Sequence, residues 1–559
     1  VGLAALYTNT DGEKNVAVGR EALRLNTTAD HNTGIGYQTL YSNTTGSSNT
    51  AVGSQALYAN TTGASNQAFG GNALKQLTTG SRNIAIGHNA LENNQAGSDN
   101  IGIGHDTIKQ ITTGAHNNVA VGRAALSKTT VSNNTAVGNQ ALALTTTGAS
   151  NTAVGATALY SNTEGIYNAA FSRQALYSNT TGDYNVAVGF ASLYNNSTAD
   201  NNTAIGYAAL NQNTTGTQNV AVGSNALDAN TTADGNVAVG HSALSAVSTG
   251  QQNTAIGTGA LSGSNGSNNV AVGFYSQITN STGGNNVSLG HKSLYTNSTG
   301  SNNVAIGHEA LRLSTGSFNV AIGFQAADSN TTGSVVAVGY QAAGANTTGS
   351  VTAVGKDALR DNISGLSNTA IGNAALANNS GASAHYNTAC GNSALGSNST
   401  GSQNTAVGHD ALDDNTTGNY NVAVGSNALS KITTASDCTA VGSGALSQCT
   451  GPQNTAFGRS ALNLSTTGQS NVAVGYETLK ANTSGTNNSA VGLQALLNNT
   501  TGAQNTATGV HALRDNVDGT YNTADGFAAL LEVTSGSYNT ALGGNAARNI
   551  TTTDNTTAI

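Results

Sequence analysis

Methionine and tryptophan are absent from this 559-residue sequence, proline occurs once, cysteine three times, and charged residues reach only 8%, against about a quarter in an ordinary soluble domain. Each shortage excludes something. The single proline rules out collagen-like or proline-rich linker character. Low charge argues against a disordered tail, which stays open partly by self-repulsion. No run of about 18 apolar residues exists, so no helical membrane span is expected. With 18 Lys plus Arg against 26 Asp plus Glu, a net charge of −8 and no basic stripe, no nucleic-acid partner is expected either. Hydrophobic residues at 37% and aromatics at 5% leave little material for a large enzyme core.

What is present is glycine, 70 residues of it, and a repeat. The pentapeptide Asn49, Thr50, Ala51, Val52, Gly53 returns in 32 complete copies, mostly 17 residues apart with occasional steps of 16, 18 or 19. Numbered from that Asn, the unit reads N-[TV]-A-[VI]-G-x-x-A-L-x-x-N-T-T-G-x-x, with Leu57, Asn60 and Gly63 at positions 9, 12 and 15 of the copy that starts at Asn49. Position 5 is Gly in 31 of 32 copies, Ser172 being the exception. A glycine in every short unit excludes helical solenoids. The pattern predicts an all-β parallel β-solenoid, or β-roll, of about 32 coils, with two short strands per coil (TAVG and ALx) turned at Gly and Asn-Thr-Thr-Gly corners. Residues 1–559 read as one continuous array, a window of a longer chain. At one strand spacing per coil it predicts a rod of about 150 Å.

Strand alternation assigns faces. Position 4 is a large aliphatic or Phe almost throughout (Val52, Phe69, Ile86, Ile103), which places that side, with Leu57, Leu74 and Leu91, in the core. Position 3, opposite, is Ala in 29 of 32 copies, where a free solvent face would drift towards larger polar residues. The reading is that copies of the chain pack on each other along these Ala rows, giving a homo-oligomer. The alternative is that alanine simply fits inside a flattened coil. The asparagines at positions 1 and 12 suit stacked amide ladders. Where Val335 and Val351 replace the first Asn, the core Leu becomes Ala327 and Ala343, which points to an inward-facing Asn.

The segment Asn302, Asn303, Val304, Ala305, Ile306, Gly307, His308, Glu309, Ala310 resembles the N-S-V-A-I-G-x-x-S motif of YadA-like heads in trimeric autotransporter adhesins. Similar repeats occur in phage tail fibres. The match recurs along the chain, for instance at Asn118 to Gly122 and Asn219 to Gly223. The resemblance implies a left-handed coil, three chains side by side, and a secreted protein at a bacterial surface that adheres to host or matrix.

Signs of chemistry are few. Six histidines, His88, His105, His241, His291, His308 and His409, occupy position 6; two imidazoles on neighbouring coils without a third ligand make a weak zinc site, and no metal or other cofactor is expected. No H-x-x-x-H, GxSxG or phosphate-binding loop occurs, and calcium β-rolls need a denser Asp array. No catalytic residue is assigned and no enzyme is expected. Asp525 and Thr508 stand at the position-4 core site. Cys390 replaces a core Val, whereas Cys438 and Cys449 replace the position-1 and position-12 asparagines of one coil and could form a disulfide or remain as thiols. Tyr41, Tyr58, Tyr160, Tyr177 and Tyr194, all at position 10, form partial columns able to bind glycans by stacking, or another fibre. The function expected is an extracellular or cell-surface structural or adhesive filament. The alternatives are a phage tail-fibre shaft or an ice- or surface-binding solenoid built on rows such as Thr61 and Thr62.

Overall fold

The computed structural model describes residues 1–111 and 114–559. The protein is an all-β parallel solenoid with one three- or four-residue strand in nearly every coil and about 17 residues from each strand to the next. Two compact units divide it, Val1–Thr282 and Gly283–Ile559. Among the described residues the first holds the strands from β1 (Val16–Val18) to β16 (Val270–Val272), the second those from β17 (Val287–Leu289) to β33 (Thr557–Ala558). Within each unit every strand pairs in parallel with the next, in unbroken register: Thr50, Ala51 and Val52 of β3 (Thr50–Val52) face Gln67, Ala68 and Phe69.

The faces are the reverse of the expected ones. Ala51 is fully buried, as are its equivalents Ala85, Ala136 and Ala204, while positions 2 and 4 point outward; Ile86 is 41% exposed and Phe457 43%. Alanine lines the interior because the coil is too flat for more. The Ala rows are therefore not a surface on which copies can pack, and Val52 is not core. Volume is supplied from the opposite wall, where Ala56 and Leu57 at positions 8 and 9 are both buried.

The ALx segment is not a second strand but part of a turn. Gln55, Leu57 and Ser65, at positions 7, 9 and 17, hold φ of 57°, 51° and 60°, a left-handed conformation costing a residue with a side chain about 1–2 kcal/mol. This breaks strand alternation and lets two adjacent side chains, Ala56 and Leu57, point the same way. Each strained residue is fixed by a bond to a neighbouring coil. Gln55 N–H donates to Tyr37 O at 2.8 Å, Leu57 N–H to Ala73 O at 2.9 Å and Ser65 N–H to Ser47 O at 3.0 Å. Gly53, at φ 134°, is favoured at its position: a Cβ there would lie 2.6 Å from the carbonyl group of Gly70, and the one equivalent side chain, Ser172, is held at φ 113°.

Two buried amide ladders close the coil. At position 1, Asn66 N–H donates to Asn49 Oδ1 at 2.9 Å; at position 12, Asn60 Nδ2 donates to Asn43 Oδ1 at 2.8 Å. Both converge on one corner carbonyl, Gly63 O, which accepts from Asn49 Nδ2 at 2.8 Å and Asn60 Nδ2 at 2.9 Å. The inward asparagine is thus observed, and Val335 and Val351 are buried in its place, in one cluster with Ala327 and Ala343. At four places where an aliphatic side chain interrupts the position-12 ladder, the preceding oxygen is stranded, whereas before Ile111 the Asn94 Oδ1 accepts from Gly97 N–H at 2.8 Å. Asn60, Asn230, Asn415 and Asn516 each have a buried Oδ1 without a partner, and the next residues in their columns are Leu77, Val247, Ile432 and Val533.

Candidate interaction face

Because Ala occupies the inner side of each strand, positions 2 and 4 form a flat outer face on each unit. Position 4 carries Val, Ile, Leu or Phe on nearly every coil and position 2 carries mostly Thr or Val. Among the described strands Asp525 is the one charged residue on this face. Soluble monomers rarely expose contiguous apolar patches beyond a few hundred Å², and here the column repeats on nearly every coil of both units. Asp525 and Thr508, expected in the core, lie on the exposed side of their strands, so the carboxylate needs no buried partner. Cys390 is exposed for the same reason, correcting its placement in the core. This face was missed in the sequence because large aliphatics were assigned inward; the near-invariant Ala was the available signal.

The representative repeat residues Asn49, Ala51, Gly53, Leu57, Asn60 and Gly63 all build the interior or its corners, and Val52 builds the face. Cys438 and Cys449 come together. Both are buried free thiols, with Cys438 Sγ 3.5 Å and Cys449 Sγ 3.2 Å from Gly451 O. They stand in for the two ladder amides at the corner carbonyl. The hydrogen bond to Cys438, together with burial, pushes the Cys449 thiol up, while its partner is held down by the same bond.

The position-10 tyrosines do form columns. Ring centroids lie 5.1 Å apart for Tyr41 and Tyr58, 5.3 Å for Tyr160 and Tyr177, and 5.0 Å for Tyr177 and Tyr194. Each ring stacks on its neighbour, so edges rather than faces meet solvent, and a sugar needs a ring face to stack upon. A further column not singled out from sequence occurs at position 17, where Tyr521 and Tyr538 stack at 4.8 Å, and the position-6 pair His291 and His308 extends through Phe324 and Tyr340 into one run. In the corner Thr row, the Thr61 hydroxyl donates to Thr78 O at 3.0 Å and the Thr44 hydroxyl to Thr61 O at 3.1 Å; those groups are spent on the coil itself.

Several acids are engaged in ion pairs. Asp99 accepts two bonds from Arg82 at 2.6 and 2.7 Å, which lower its carboxyl below the usual range. Asp328 accepts two from Arg312 at 2.7 and 3.0 Å. No helix is long and apolar enough to cross a membrane among the described residues.

The fold and the face together define a parallel β-solenoid with a regularly repeating outer sheet that carries one charged residue, Asp525, among the described strands. No family model matches the chain, and no curated protein matches it.

Proposed function

We propose that the chain is part of an extracellular structural or adhesive filament, with no catalytic role, in which copies pack through the outer sheet face. The observation that carries this reading is the column of mostly large aliphatics at position 4, broken by a single charge at Asp525, present on both units and left half-exposed or exposed by a single chain. Covering it would bury a large apolar area at about 25 cal/mol per Å² and protect a long flat sheet from indiscriminate association. Three chains is the number that the resemblance to YadA-like heads implies. The repeat then serves reach and multivalency: one weak patch for host, matrix or glycan, shown many times, gains avidity without a specialised pocket. A tail-fibre shaft would use the same mechanics.

Cys390 is a natural reporter, since it sits on this face between Ile371 and Val407 of the neighbouring coils. Light scattering of the native chain should give a multiple of the 55.4 kDa mass, with Cys390 slow to alkylate. Ile371→Lys with Val407→Lys should disperse the copies and expose the thiol, Cys438 and Cys449 staying unreactive as internal references. A native chain that runs as a monomer with a freely reactive Cys390 would overturn the reading.

A second reading has its own support. Thr and Val at positions 2 and 4 stand two residues apart on a flat in-register ladder, the T-x-V alternation that a crystal-surface binder needs and that the corner Thr61–Thr62 row lacks. Thermal hysteresis from dispersed chains would favour it; none would discard it.

A further inference from the structure

We infer that His291, His308 and Glu309 form a binding site for a zinc-class divalent cation, spanning two consecutive coils of the second unit. The three side chains offer one ligand atom each, all within 4.8 Å of one another. Zinc bonds of about 2.0–2.1 Å place tetrahedral donors about 3.3 Å apart, so the exposed His308 and the half-buried His291 and Glu309 side chains have to draw together by rotation to close the set. The solenoid creates this proximity: residues at position 6 of adjacent coils stack, with the His291 and His308 rings 4.8 Å apart, and position 7 of the second coil brings its carboxylate beside them. His308 Nδ1 lies 3.8 Å from Glu309 Oε2.

The donor set of two imidazoles and one carboxylate suits zinc, copper or nickel rather than calcium or magnesium. Three protein donors leave a fourth position for water or a group from another molecule. Glu309 is prepared to ligate. The Gln325 amide donates to its Oε2 at 2.9 Å, and that bond holds the carboxyl below the usual range. Arg312 pairs with Asp328 and Lys292 Nζ sits 5.8 Å from the Tyr295 ring centroid, while both cations also help to hold the Glu309 carboxyl down.

The first unit supplies a comparison. His88 and His105 also stack, at 5.4 Å, with Asp106 at position 7. There the Asp106 Oδ1 accepts from Asn89 and from Lys109, both at 3.0 Å, and Lys109 pairs with it as a resident cation. The same register thus sets a lysine on the carboxylate in one unit and a glutamine amide on it in the other.

Titration of the full chain with Co²⁺, followed by visible d–d absorption and competition with Zn²⁺, tests the site. One saturable equivalent is expected. His308→Ala and Glu309→Gln should each weaken it by more than about tenfold, the cost of losing even a supporting partner at a metal, and His105→Ala should leave it unchanged. His308 is exposed and Glu309 half-buried, and circular dichroism checks that the variants stay folded. No saturable Co²⁺, or binding that survives either substitution at 308 or 309, or that falls with His105→Ala, would overturn the proposal.

Discussion

The two walls of the coil obey opposite rules. The inner wall keeps Ala at nearly every equivalent of Ala51 and small residues at those of Ala56, with Leu57 replaced by Ala only in coils such as those of Ala327 and Ala343, whereas the outer one takes Thr, Val, Ile, Leu, Phe, Cys or Asp at equivalent positions. In a globular domain the large aliphatics would be inside. Here the separation of the walls, set by a strand on one side and a tight left-handed turn on the other, decides size first and hydrophobicity second. An interior packed at crystal-like density cannot trade an alanine for a valine without moving backbone, and the backbone is bonded on both sides to other coils.

Substitutions that exchange the walls' residues test this contrast. Leu57→Ala should cost about 2–5 kcal/mol as a buried cavity, read as faster amide hydrogen exchange in the coils on either side. Ile86→Ala, on the outer wall, should stay within about 0.5 kcal/mol in dispersed chains. If the two cost the same, the assignment of walls is wrong. Enlarging the inner wall with Ala153→Leu should cost about 1–3 kcal/mol by overpacking, while Val154→Leu beside it leaves the urea midpoint of dispersed chains nearly unchanged.

The ladder sharpens the comparison one step further. Asn179→Leu reproduces mid-ladder the interruption that Leu77 makes naturally, stranding the Asn162 Oδ1 that Asn179 now satisfies at 2.8 Å. The cost of an unmet buried acceptor is about 1–3 kcal/mol, part of it returned by the buried leucine, and local hydrogen exchange should show it at Asn162 and its neighbours. The smallest effect is electrostatic. Burial pushes the Asp413 carboxyl up, and Asp410 and Asp414 add to it. The folded chain therefore keeps a proton that the unfolded chain releases, and this contribution to stability is lost as pH rises through the folded value. Asp413→Asn should stabilise by a few tenths of a kcal/mol at neutral pH, given its partial exposure. In acid, below the ordinary carboxylate range, the gain should vanish.

The period, the parallel solenoid and the inward asparagines were legible because they rest on repetition and on side-chain chemistry that recurs in every copy. The wall assignment was not. Alternation along Thr50, Ala51, Val52 says that the middle residue faces away from its neighbours, but not which side is wet; the customary preference for burying Val over Ala supplied the wrong parity. The second predicted strand failed for another reason. Gln55 and Leu57 adopt left-handed φ that no glycine announces, so two adjacent inward side chains, Ala56 and Leu57, read as half of an alternation they do not follow. The cation site was half visible, as paired histidines, but its carboxylate required knowing that positions 6 and 7 of neighbouring coils share one edge.

The corner between the two ladders has a consequence for how such a gene can change. In the coil from Asn368 to Tyr386 two extra residues separate Asn379 from the carbonyl that closes the turn, now Ala384 O, yet Thr369 still pairs with Thr388. In the shorter coil from Asn118 to Asn133 the closing carbonyl is Val131 O, and Val119 still pairs with Thr135. Small insertions and deletions are absorbed there, outside the strand. Gain or loss of an entire unit by recombination between near-identical repeats would then renew the same contacts on either side of the junction, so the length of the array is free to drift between lineages while its cross-section is inherited unchanged.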